Sequence, residues 1–582
     1  MKQTIRQTFG ARKIVALIAI SLLTTNVIAQ TVGRVLDLRP GGSFETMVES
    51  LAAGDTLIVH AGTYADSGRL SITARGTAAT PIVIRGATGE ARPVITRPSA
   101  AALQNTINIE GAAYLTIKGL EIVGNGGDGI NLNSFPTFIT LEDLKIHDVD
   151  VGINFRSSMN NIVARRNEIY RTGARNGTGE GMYVGCNNAT CLVSDSLIEN
   201  NWIHDTLPGT TQGDGIEIKV GSHSNIIRDN VIYNRPYPGI FVYGTLANGA
   251  NLVERNVIWN CLEGIYAVSD AIVRNNIILN STLGLSLYPH AQVPVLKNIT
   301  AVNNTLYGNR TGVLVRWGGI NMMLANNAIF SPSATAVNSG SGIAASSIVR
   351  NNYIEGSSSS AIDNARFFAG GSSSTVFTNT AARNFWPLAN SIVLGKGDSL
   401  LTPALDFNGS KRAAPFDVGA YQRNGLASNP GWAITTSFKT PLLPGAGTGE
   451  IILDNLGAGA RDATRSFSGQ WCLSGSANKY AANSLYSCGN AIDTYRWTPP
   501  ISLAGFYDVY VWWSTHANRS INVPVTIKHA AGTSVKNYNQ RSGGQWVLHG
   551  RYSFALGVGS YAEVSDVNGQ AAADAVKFLR VE

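Results

Sequence analysis

The chain has 582 residues, of which 62 are Gly and 44% are hydrophobic, and its formal net charge is +7. Four of its 45 Lys and Arg lie in the first 13 residues with no acidic residue among them, so the remainder carries 41 cations against 38 anions. This small excess gives no reason to expect a nucleic-acid partner, and the length, many Gly and Asn and few candidate helices favour an all-β protein of two to three domains.

Residues 1–29 predict a secretory signal peptide. Lys2, Arg6, Arg12 and Lys13 precede the apolar run IVALIAISLL, and we expect cleavage after Ala29. The apolar run is too short to predict a membrane span. We therefore expect an exported protein, secreted or periplasmic, with no membrane span after the signal is removed.

The next region predicts the covered first end of a solenoid. Residues 40–64 contain a short amphipathic segment and then a strand, and a helix there would hide the unpaired edges of the first coil. The phrases AGDTLIVHAGTY (residues 53–64) and GTAATPIVIRG (residues 76–86) resemble the opening of secreted right-handed β-helix proteins, including the polysaccharide lyases typified by chondroitinase B and alginate lyase. The resemblance implies a right-handed parallel β-helix, which we place at residues 30–424.

A recurring asparagine predicts the same fold independently. It returns after 34, 29, 26, 20, 28, 23 and 25 residues, and intervals in the low twenties fit one coil of a parallel β-solenoid. The two longest intervals surround residues 181–221, so their extra residues must form loops beside one pair of strands. Long loops on a rigid scaffold usually carry function. The repeated residue is Asn167, Asn201, Asn230, Asn256, Asn276, Asn304, Asn327 and Asn352.

The strand after each coil glycine can be divided into inward and outward positions, because successive side chains point to opposite faces. The inward pairs are Ile130/Leu132, Ile153/Phe155, Met182/Val184, Ile216/Ile218, Ile240/Val242, Ile265/Ala267, Leu285/Leu287 and Val313/Val315. The outward positions form two columns, Asn131, Asn154, Tyr183, Glu217, Phe241, Tyr266, Ser286, Leu314 and Asn133, Arg156, Gly185, Lys219, Tyr243, Val268, Tyr288, Arg316.

These outward columns predict a glycan-binding face. Aromatic rings pack on sugar rings, amides bind hydroxyls, and cations bind carboxylate or sulfate. Simple solvation of polar residues on a solenoid is the alternative interpretation. The predicted substrate contacts are Asn131, Asn154, Arg156, Phe241, Tyr266, Tyr288 and Arg316.

The chemistry we predict is β-elimination from a uronic-acid-containing polysaccharide. Such a reaction needs a base, a cation at the substrate carboxylate and an acid for the leaving oxygen. Lys219 could be the base if burial and nearby cations favour its neutral form, Arg156 could bind the carboxylate, and either Tyr183 or Tyr243 could be the acid. His204 and His223 are further candidates for acid or base, although a lone His in a coil turn is more often structural.

A calcium site is predicted beside this lysine. Glu180 and Asp214 occupy equivalent places on adjacent coils, and with Glu217 they could bind Ca²⁺ as hard oxygen ligands; the alternative is that one of them holds a proton. The phrase GDGIEIK resembles the acidic residues and lysine of the chondroitinase B and alginate lyase family. The next coil, PGIFVYG, departs from that family because Tyr243 stands where an Arg would be wanted.

Two other functions remain open from the sequence. A glycoside hydrolase could use two carboxylates chosen from Glu180, Asp205, Asp214 and Glu217, and a surface protein could bind glycan without catalysis. Under the lyase hypothesis, Lys219→Ala should abolish turnover with little loss of stability, because an outward side chain contributes little to the core.

Five cysteines in an exported chain predict disulfides that hold loops. We expect Cys186 to pair with Cys191 and Cys472 with Cys488, which leaves Cys261 as a buried thiol. No spacing of His and Cys suggests a zinc site.

The C-terminal part predicts a separate β-sandwich. Residues 406–421 resemble the closing sequence of secreted β-helix proteins, residues 425–449 form a Pro/Gly/Thr-rich linker, and residues 450–582 alternate like strands and are rich in Trp and Tyr. The last region resembles the golvesin and xanthan-lyase C-terminal domain, which implies a carbohydrate-binding-like module. We expect at least half of Trp471, Trp497, Trp513 and Trp546 to be core, and the protein to be a monomer.

Overall fold

The computed structural model describes residues 33–580 except 102, 341–342, 361–365, 424–449, 457, 459–463, 482, 500, 502–504 and 555–558. The predicted signal peptide (1–29) and linker (425–449) lie outside the described residues. Within the described part of the chain, no helix is both long enough and apolar enough to cross a membrane.

The first part is a right-handed parallel β-helix, as predicted, with three ladders of parallel strands. The first ladder contains Val35–Leu38, Thr56–Val59, Ile82–Gly86, Ala113–Lys118, Thr137–Glu142, Met159–Arg165, Leu197–Glu199, Ile226–Arg228, Asn251–Glu254, Ser269–Arg274, Lys297–Val302, Met323–Ala325 and Ile348–Arg350, with Val193–Ser194 beside Met159–Arg165.

The second ladder contains Thr63–Tyr64, Val94–Thr96, Glu121–Val123, Lys145–Val149, Glu168–Thr172, Trp202–Thr206, Val231–Arg235, Val257–Cys261, Ile277–Leu279 and Thr305–Tyr307. The third contains Ser71–Ile72, Ile107–Glu110, Ile130–Asn133, Ile153–Phe155, Met182–Val184, Ile216–Ile218, Ile240–Val242, Glu263–Ala267, Leu283–Leu287 and Thr311–Val315. The long strands Ala328–Ser339 and Asn352–Ser360 then join both ladders, and Phe367–Phe368 pairs with the latter.

The eight inward pairs of the third ladder lie in the core in the predicted register. Ile153 pairs with Met182, Met182 with Ile216, and Ile216 with Ile240, and no member of the eight pairs is more than 2% exposed. Burying one such side chain contributes about 1.5–3 kcal/mol. The same register carries Tyr183, Glu217 and their column to the outward face.

The repeated asparagines form a buried hydrogen-bonded ladder at the turn between the first and second ladders. Each of the eight is 0% exposed, and the amides of the first seven donate to the side-chain oxygen of the next, from Asn167 to Asn201 at 3.0 Å through Asn327 to Asn352 at 2.9 Å. The residue before each one has a φ between 54° and 57°, so the chain turns there in the left-handed region. Buried polar groups require partners, and this ladder supplies them at every coil.

Other elements cover the solenoid's first end and the outward face of the second ladder. The helix Phe44–Glu49 places Phe44 and Val48 in the core. Tyr233 and Trp259 of the second ladder are covered by a later part of the chain. This part contains the helix Ser373–Val376, a hairpin of Phe377–Asn379 and Asn384–Pro387, and the segment that follows through residue 421. Three short 3₁₀ turns are Ser99–Ala101, Ala174–Asn176 and Asn187–Ala189.

The C-terminal region folds into antiparallel sheets. The first sheet contains Glu450–Asp454, Ala575–Arg580, Gly505–Trp512 and Val547–Phe554. The second sheet contains Arg465–Ser468, Thr494–Trp497, Tyr561–Ser565, Val523–His529 and Gly532–Tyr538. The third sheet contains Trp471–Leu473, Leu485–Ser487 and Ala572–Ala573. Trp471, Trp497 and Trp513 are at most 4% exposed, whereas Trp546 is half-buried.

Candidate active site

A pocket of about 420 Å³ lies on the outward side of the third ladder, beside the strands Met182–Val184, Ile216–Ile218 and Ile240–Val242. Of the predicted site residues, its lining contains Asn154, Arg156, Glu180, Tyr183, Glu217, Lys219 and Tyr243. The strand register and the long loops therefore bring seven predicted residues to one place.

Lys219 is the polar centre of this pocket. Its Nζ lies 2.7 Å from Glu217 Oε1 and donates to the Tyr243 hydroxyl at 3.1 Å, and that hydroxyl in turn donates to Glu217 Oε1 at 2.9 Å. The ammonium also lies 4.8 Å from the centre of the Tyr183 ring and 4.3 Å from that of Tyr243. Gly185 makes room for this side chain, since a Cβ there would lie 3.3 Å from Lys219 Cβ.

The burial of Lys219 corrects one expectation from the sequence. The outward position was predicted to contribute little to stability, but Lys219 is 4% exposed and Glu217 is 2% exposed. Loops cover the outward face here, so the pair is a buried ion pair. Removing one partner would leave an uncompensated charge, which costs about 3–5 kcal/mol.

Glu180, Asp214 and Glu217 form a buried cluster of carboxylates. One oxygen from each lies within 4.8 Å of the others, and all three residues are at most 2% exposed. Glu180 Oε1, Asp214 Oδ1 and Glu217 Oε2 are buried without a hydrogen-bond partner. Thr178 donates to the other Glu180 oxygen at 2.5 Å. Three carboxylates at this spacing, each with one unpartnered oxygen, fit a Ca²⁺ ion, whose ligands lie about 2.3–2.6 Å away.

Burial also changes the proton affinity of this cluster. Burial is the main reason that the pKa of Glu180 is raised to about 7; the bond from Thr178 opposes the rise, and the charges of Glu217 and Asp150 add to it. Burial raises the pKa of Asp214 well above its usual value, with Glu217 and Glu180 adding to the effect. A proton on one carboxylate, or a cation among the three, would relieve the same repulsion.

The two tyrosines are strongly held in their phenol form. Burial, followed by the charge of Glu217, raises the pKa of both Tyr183 and Tyr243. Tyr243 already donates its proton to Glu217, whereas Tyr183 lies beside the pocket under the lysine.

Two loops meet at the pocket: the sequence predicted a long loop in the interval that contains Asn187 and missed the loop that contains Gln292. Gln292 Oε1 accepts from the Asn188 backbone at 2.7 Å, and its amide donates to Asn187 at 3.2 Å. Asn187, Gln292 and His290 line the pocket, and the His290 ring meets that of Tyr243 edge-on at 4.7 Å. Burial, followed by Lys219, lowers the pKa of His290. The 28-residue interval between Asn276 and Asn304 was the signal for this second loop.

Neither predicted histidine lies in the pocket lining. His204 belongs to the second ladder, where its ring stacks between Tyr170 and Tyr233 with centroids 5.1 Å from each, and its Nδ1 lies 2.8 Å from Asp205. His223 lies in a turn, with Nδ1 3.2 Å from Ser224 Oγ. These contacts give both residues structural surroundings, and Asp205 is likewise outside the pocket lining.

The predicted aromatic platform is not an open surface. Phe241 is 6% exposed and stacks against both Tyr243 and Tyr266, with centroids 4.0 and 4.2 Å away. Tyr266 is 4% exposed and stacks in turn on Tyr288, whose hydroxyl donates to Glu263. Adjacent coils are close enough for the rings to cover one another, so Phe241 and Tyr266 are buried by their neighbours. Tyr288 is half-buried, and a substrate contact at these three rings stays a prediction.

The two ends of the predicted columns lie outside the pocket lining. Asn131 donates to Asp128, and the Arg316 guanidinium lies 5.8 Å from the Trp317 ring centre. Arg316 and Trp317 are exposed. Substrate contacts at these ends stay predictions.

Both predicted disulfides are present. Cys186–Cys191 closes the loop that contains Asn187, and Cys472–Cys488 links parts of one C-terminal sheet region. Cys261 is a buried free thiol, as expected.

Comparison with known families matches both parts of the chain. Residues 99–248 and 245–329 match the right-handed β-helix region family, and residues 451–580 match the golvesin C-terminal domain family. The chain is 36% identical over 140 residues to a xanthan lyase of Bacillus sp. (strain GL1). This covers 22% of the chain and only 15% of the relative, so the chain spans a small part of that relative's length.

Solved structures give similar but distant matches. A Paenibacillus xanthan lyase is 29% identical with a TM-score of 0.22, covering 28% of this chain and 16% of that one. An alginate lyase from Paenibacillus sp. str. FPU-7 is 21% identical with a TM-score of 0.35, covering 53% and 99%. Pectate lyase Pel9A is 14% identical with a TM-score of 0.42, covering 68% and 97%. At these scores the matches carry no argument about substrate.

Proposed function

We propose that the protein is a secreted polysaccharide lyase that cleaves a uronic-acid-containing polysaccharide by β-elimination. The observation that carries the proposal is the amine of Lys219, held between Glu217 and Tyr243 over the Tyr183 ring inside a pocket that also contains Arg156. The name of the curated relative, a xanthan lyase, supports the reaction class.

Lys219 acts as the base in this proposal. In its uncharged amine form it takes the proton from the carbon next to the substrate carboxylate and becomes an ammonium, and the electron pair of that C–H bond forms a double bond as the bond to the leaving oxygen breaks. Arg156 binds the substrate carboxylate, whose negative charge grows when that proton leaves. The substrate therefore needs a uronic acid at the cleaved position.

Tyr183 acts as the acid. Its phenol is protonated at neutral pH, so its hydroxyl can give a proton to the leaving oxygen. Tyr243 has the same preference, but its proton is already donated to Glu217. Tyr243 thus orients Glu217 and Lys219 and leaves the transfer to Tyr183.

Glu180, Asp214 and Glu217 would hold the Ca²⁺ ion, and their three unpartnered oxygens support this part of the proposal. A bound cation would offset the negative charge of these three carboxylates. The substrate is bound by Arg156, and its protons are moved by Lys219 and Tyr183.

The carboxylate geometry favours elimination over hydrolysis. A hydrolase places two carboxyl groups about 5–9.5 Å apart on either side of the bond that breaks. Here three carboxylates gather in one cluster, and Glu217 is bonded to both Lys219 and Tyr243. A protein that only binds glycan would not need a buried amine among unpartnered carboxylates.

The proposal extends to location and architecture. The predicted signal at residues 1–29 would direct the chain out of the cytoplasm, the β-helix domain would occupy residues 30–424, and residues 450–582 would bind carbohydrate beside it. The protein would act as a monomer on an acidic polysaccharide.

A substrate screen tests the proposal. Purified protein is incubated with uronic-acid polysaccharides, and the ultraviolet absorbance of unsaturated products is followed. New reducing ends without that absorbance would select the hydrolase, and tight binding with neither signal would select a glycan-binding protein.

A further inference from the structure

A buried arginine lies beneath the carboxylate cluster and takes no part in the chemistry above. Arg235 is the last residue of the strand Val231–Arg235 and is 2% exposed. Its guanidinium donates to five oxygens: Gly213 O at 2.7 Å, Asp205 O at 3.1 Å, Asp214 O at 3.1 Å, Gly179 O at 2.5 Å and Thr172 Oγ1 at 3.1 Å. None of these acceptors is a carboxylate.

Three of these acceptors, Gly179, Gly213 and Asp214, belong to the two long connections that carry the cluster, and Thr172 and Asp205 belong to the strands that precede them. Residues 173–181 link the second ladder to the third in one coil and include Glu180, and residues 207–215 do the same in the next coil and include Asp214. Arg235 binds the carbonyl just before Glu180 and the carbonyl of Asp214 itself. One planar group therefore fixes the distance between two carboxylate-bearing segments on adjacent coils.

The charge of Arg235 is also directed at the cluster. Burial lowers its pKa only to about 10, so the guanidinium is charged at neutral pH. Because all its bonds go to neutral oxygens, it orients the backbone without occupying a carboxylate oxygen. Glu180 Oε1 and Asp214 Oδ1 stay free to bind something else.

We propose that Arg235 is a positioning residue that spaces Glu180 and Asp214 for a divalent cation. The inference rests on the cation site of the proposed function, and it assigns a role to a residue that touches neither substrate nor cation. A lysine at this position would keep the charge but has three donors on one atom, so it could not reach the same carbonyls together.

The experiment measures cation binding directly. Tb³⁺ substitutes for Ca²⁺, and its luminescence, sensitised by Tyr183 and Tyr243, gives an affinity without any turnover. We expect Arg235→Lys to weaken Tb³⁺ binding at least tenfold. Thr172→Val, which removes one acceptor and the bond from Thr172 to Gly179 O, should weaken it less and serves as the second variant if Arg235→Lys does not fold.

Arg412 provides a matched control. It is 4% exposed, its pKa is also lowered to about 10 by burial, and its donors bind four backbone carbonyls and the Asn275 side chain in the closing segment of the solenoid. Arg412→Lys should lower thermal stability about as much as Arg235→Lys and leave the Tb³⁺ affinity unchanged. If Arg235 had only a structural role, Arg235→Lys and Arg412→Lys would have the same effects on thermal stability and on Tb³⁺ affinity.

The outcomes separate this inference from the proposed activity. Wild-type Tb³⁺ affinity in folded Arg235→Lys, or an equal loss in Arg412→Lys, would overturn the positioning role. If the wild-type protein binds no Tb³⁺, both the positioning role of Arg235 and the cation site are wrong. Unsaturated products formed in chelator would then still support the proposed lyase activity. A tenfold loss in Arg235→Lys without any unsaturated product would support the inference and remove the lyase.

Discussion

The role of Lys219 can be tested by separating its charge from its ability to accept a proton. Lys219→Ala removes the partner of a buried carboxylate, since the two side chains are 4% and 3% exposed. The loss of stability should be about 3–5 kcal/mol, the usual cost of breaking a buried ion pair. Adding Glu217→Gln to Lys219→Ala should recover much of this loss, because no buried charge is then left alone.

Lys219→Arg should retain the stability of the wild type and lose its activity. The guanidinium keeps the positive charge beside Glu217, so we expect stability close to wild type. It stays protonated and cannot act as a base, so turnover should fall by at least about 10²-fold. Chemical unfolding of the full chain and the ultraviolet absorbance of unsaturated products measure the two effects separately. A near-normal rate for Lys219→Arg would refute the reasoning, confine Lys219 to substrate binding and make His290 the next candidate base.

Three other predictions concern the cation site, the loops and the solenoid. In chelator, stability should fall as the pH rises from about 4.5 to about 7, because the native state holds the proton of Glu180 more tightly than the unfolded chain does; the 2.5-unit difference corresponds to about 3 kcal/mol. Thermal scans should show a smaller fall in Glu180→Gln, because this contribution is then missing while buried Asp214 still contributes; a fall identical to that of the wild type would contradict the assignment. Gln292→Ala breaks the link between the two loops and should raise KM more than it lowers kcat; unchanged steady-state constants would show that the link is dispensable. Asn230→Ala interrupts the buried ladder and should cost at least about 3 kcal/mol in chemical unfolding, whereas the same change at the exposed Asn234 should cost little, and equal effects would argue against the ladder.

The sequence predicted the features that depend on periodicity. Alternation within each strand gave the inward pairs and the outward neighbours Tyr183 and Glu217, because a parallel ladder repeats one register from coil to coil. The same alternation placed Lys219 on the outward side, two residues after Glu217. Coil geometry alone thus brought the central residues together.

The remaining features depend on contacts between distant loops. His290 and Gln292 reach the pocket only because their loop crosses several coils to meet Asn187, and no local pattern encodes that meeting. The same crossing buries Lys219, which the outward position alone did not predict. Phe241 was likewise expected to face a sugar, but its ring stacks on Tyr243 and Tyr266 and is buried between them.

The most direct test of the account is product formation by the wild-type protein and Lys219→Arg on the same uronic-acid polysaccharide. The account predicts that the wild type generates new chain ends and ultraviolet-absorbing unsaturated ends in equal number, and that folded Lys219→Arg generates neither. New reducing ends without the absorbance, or equal rates for the two proteins, would contradict it.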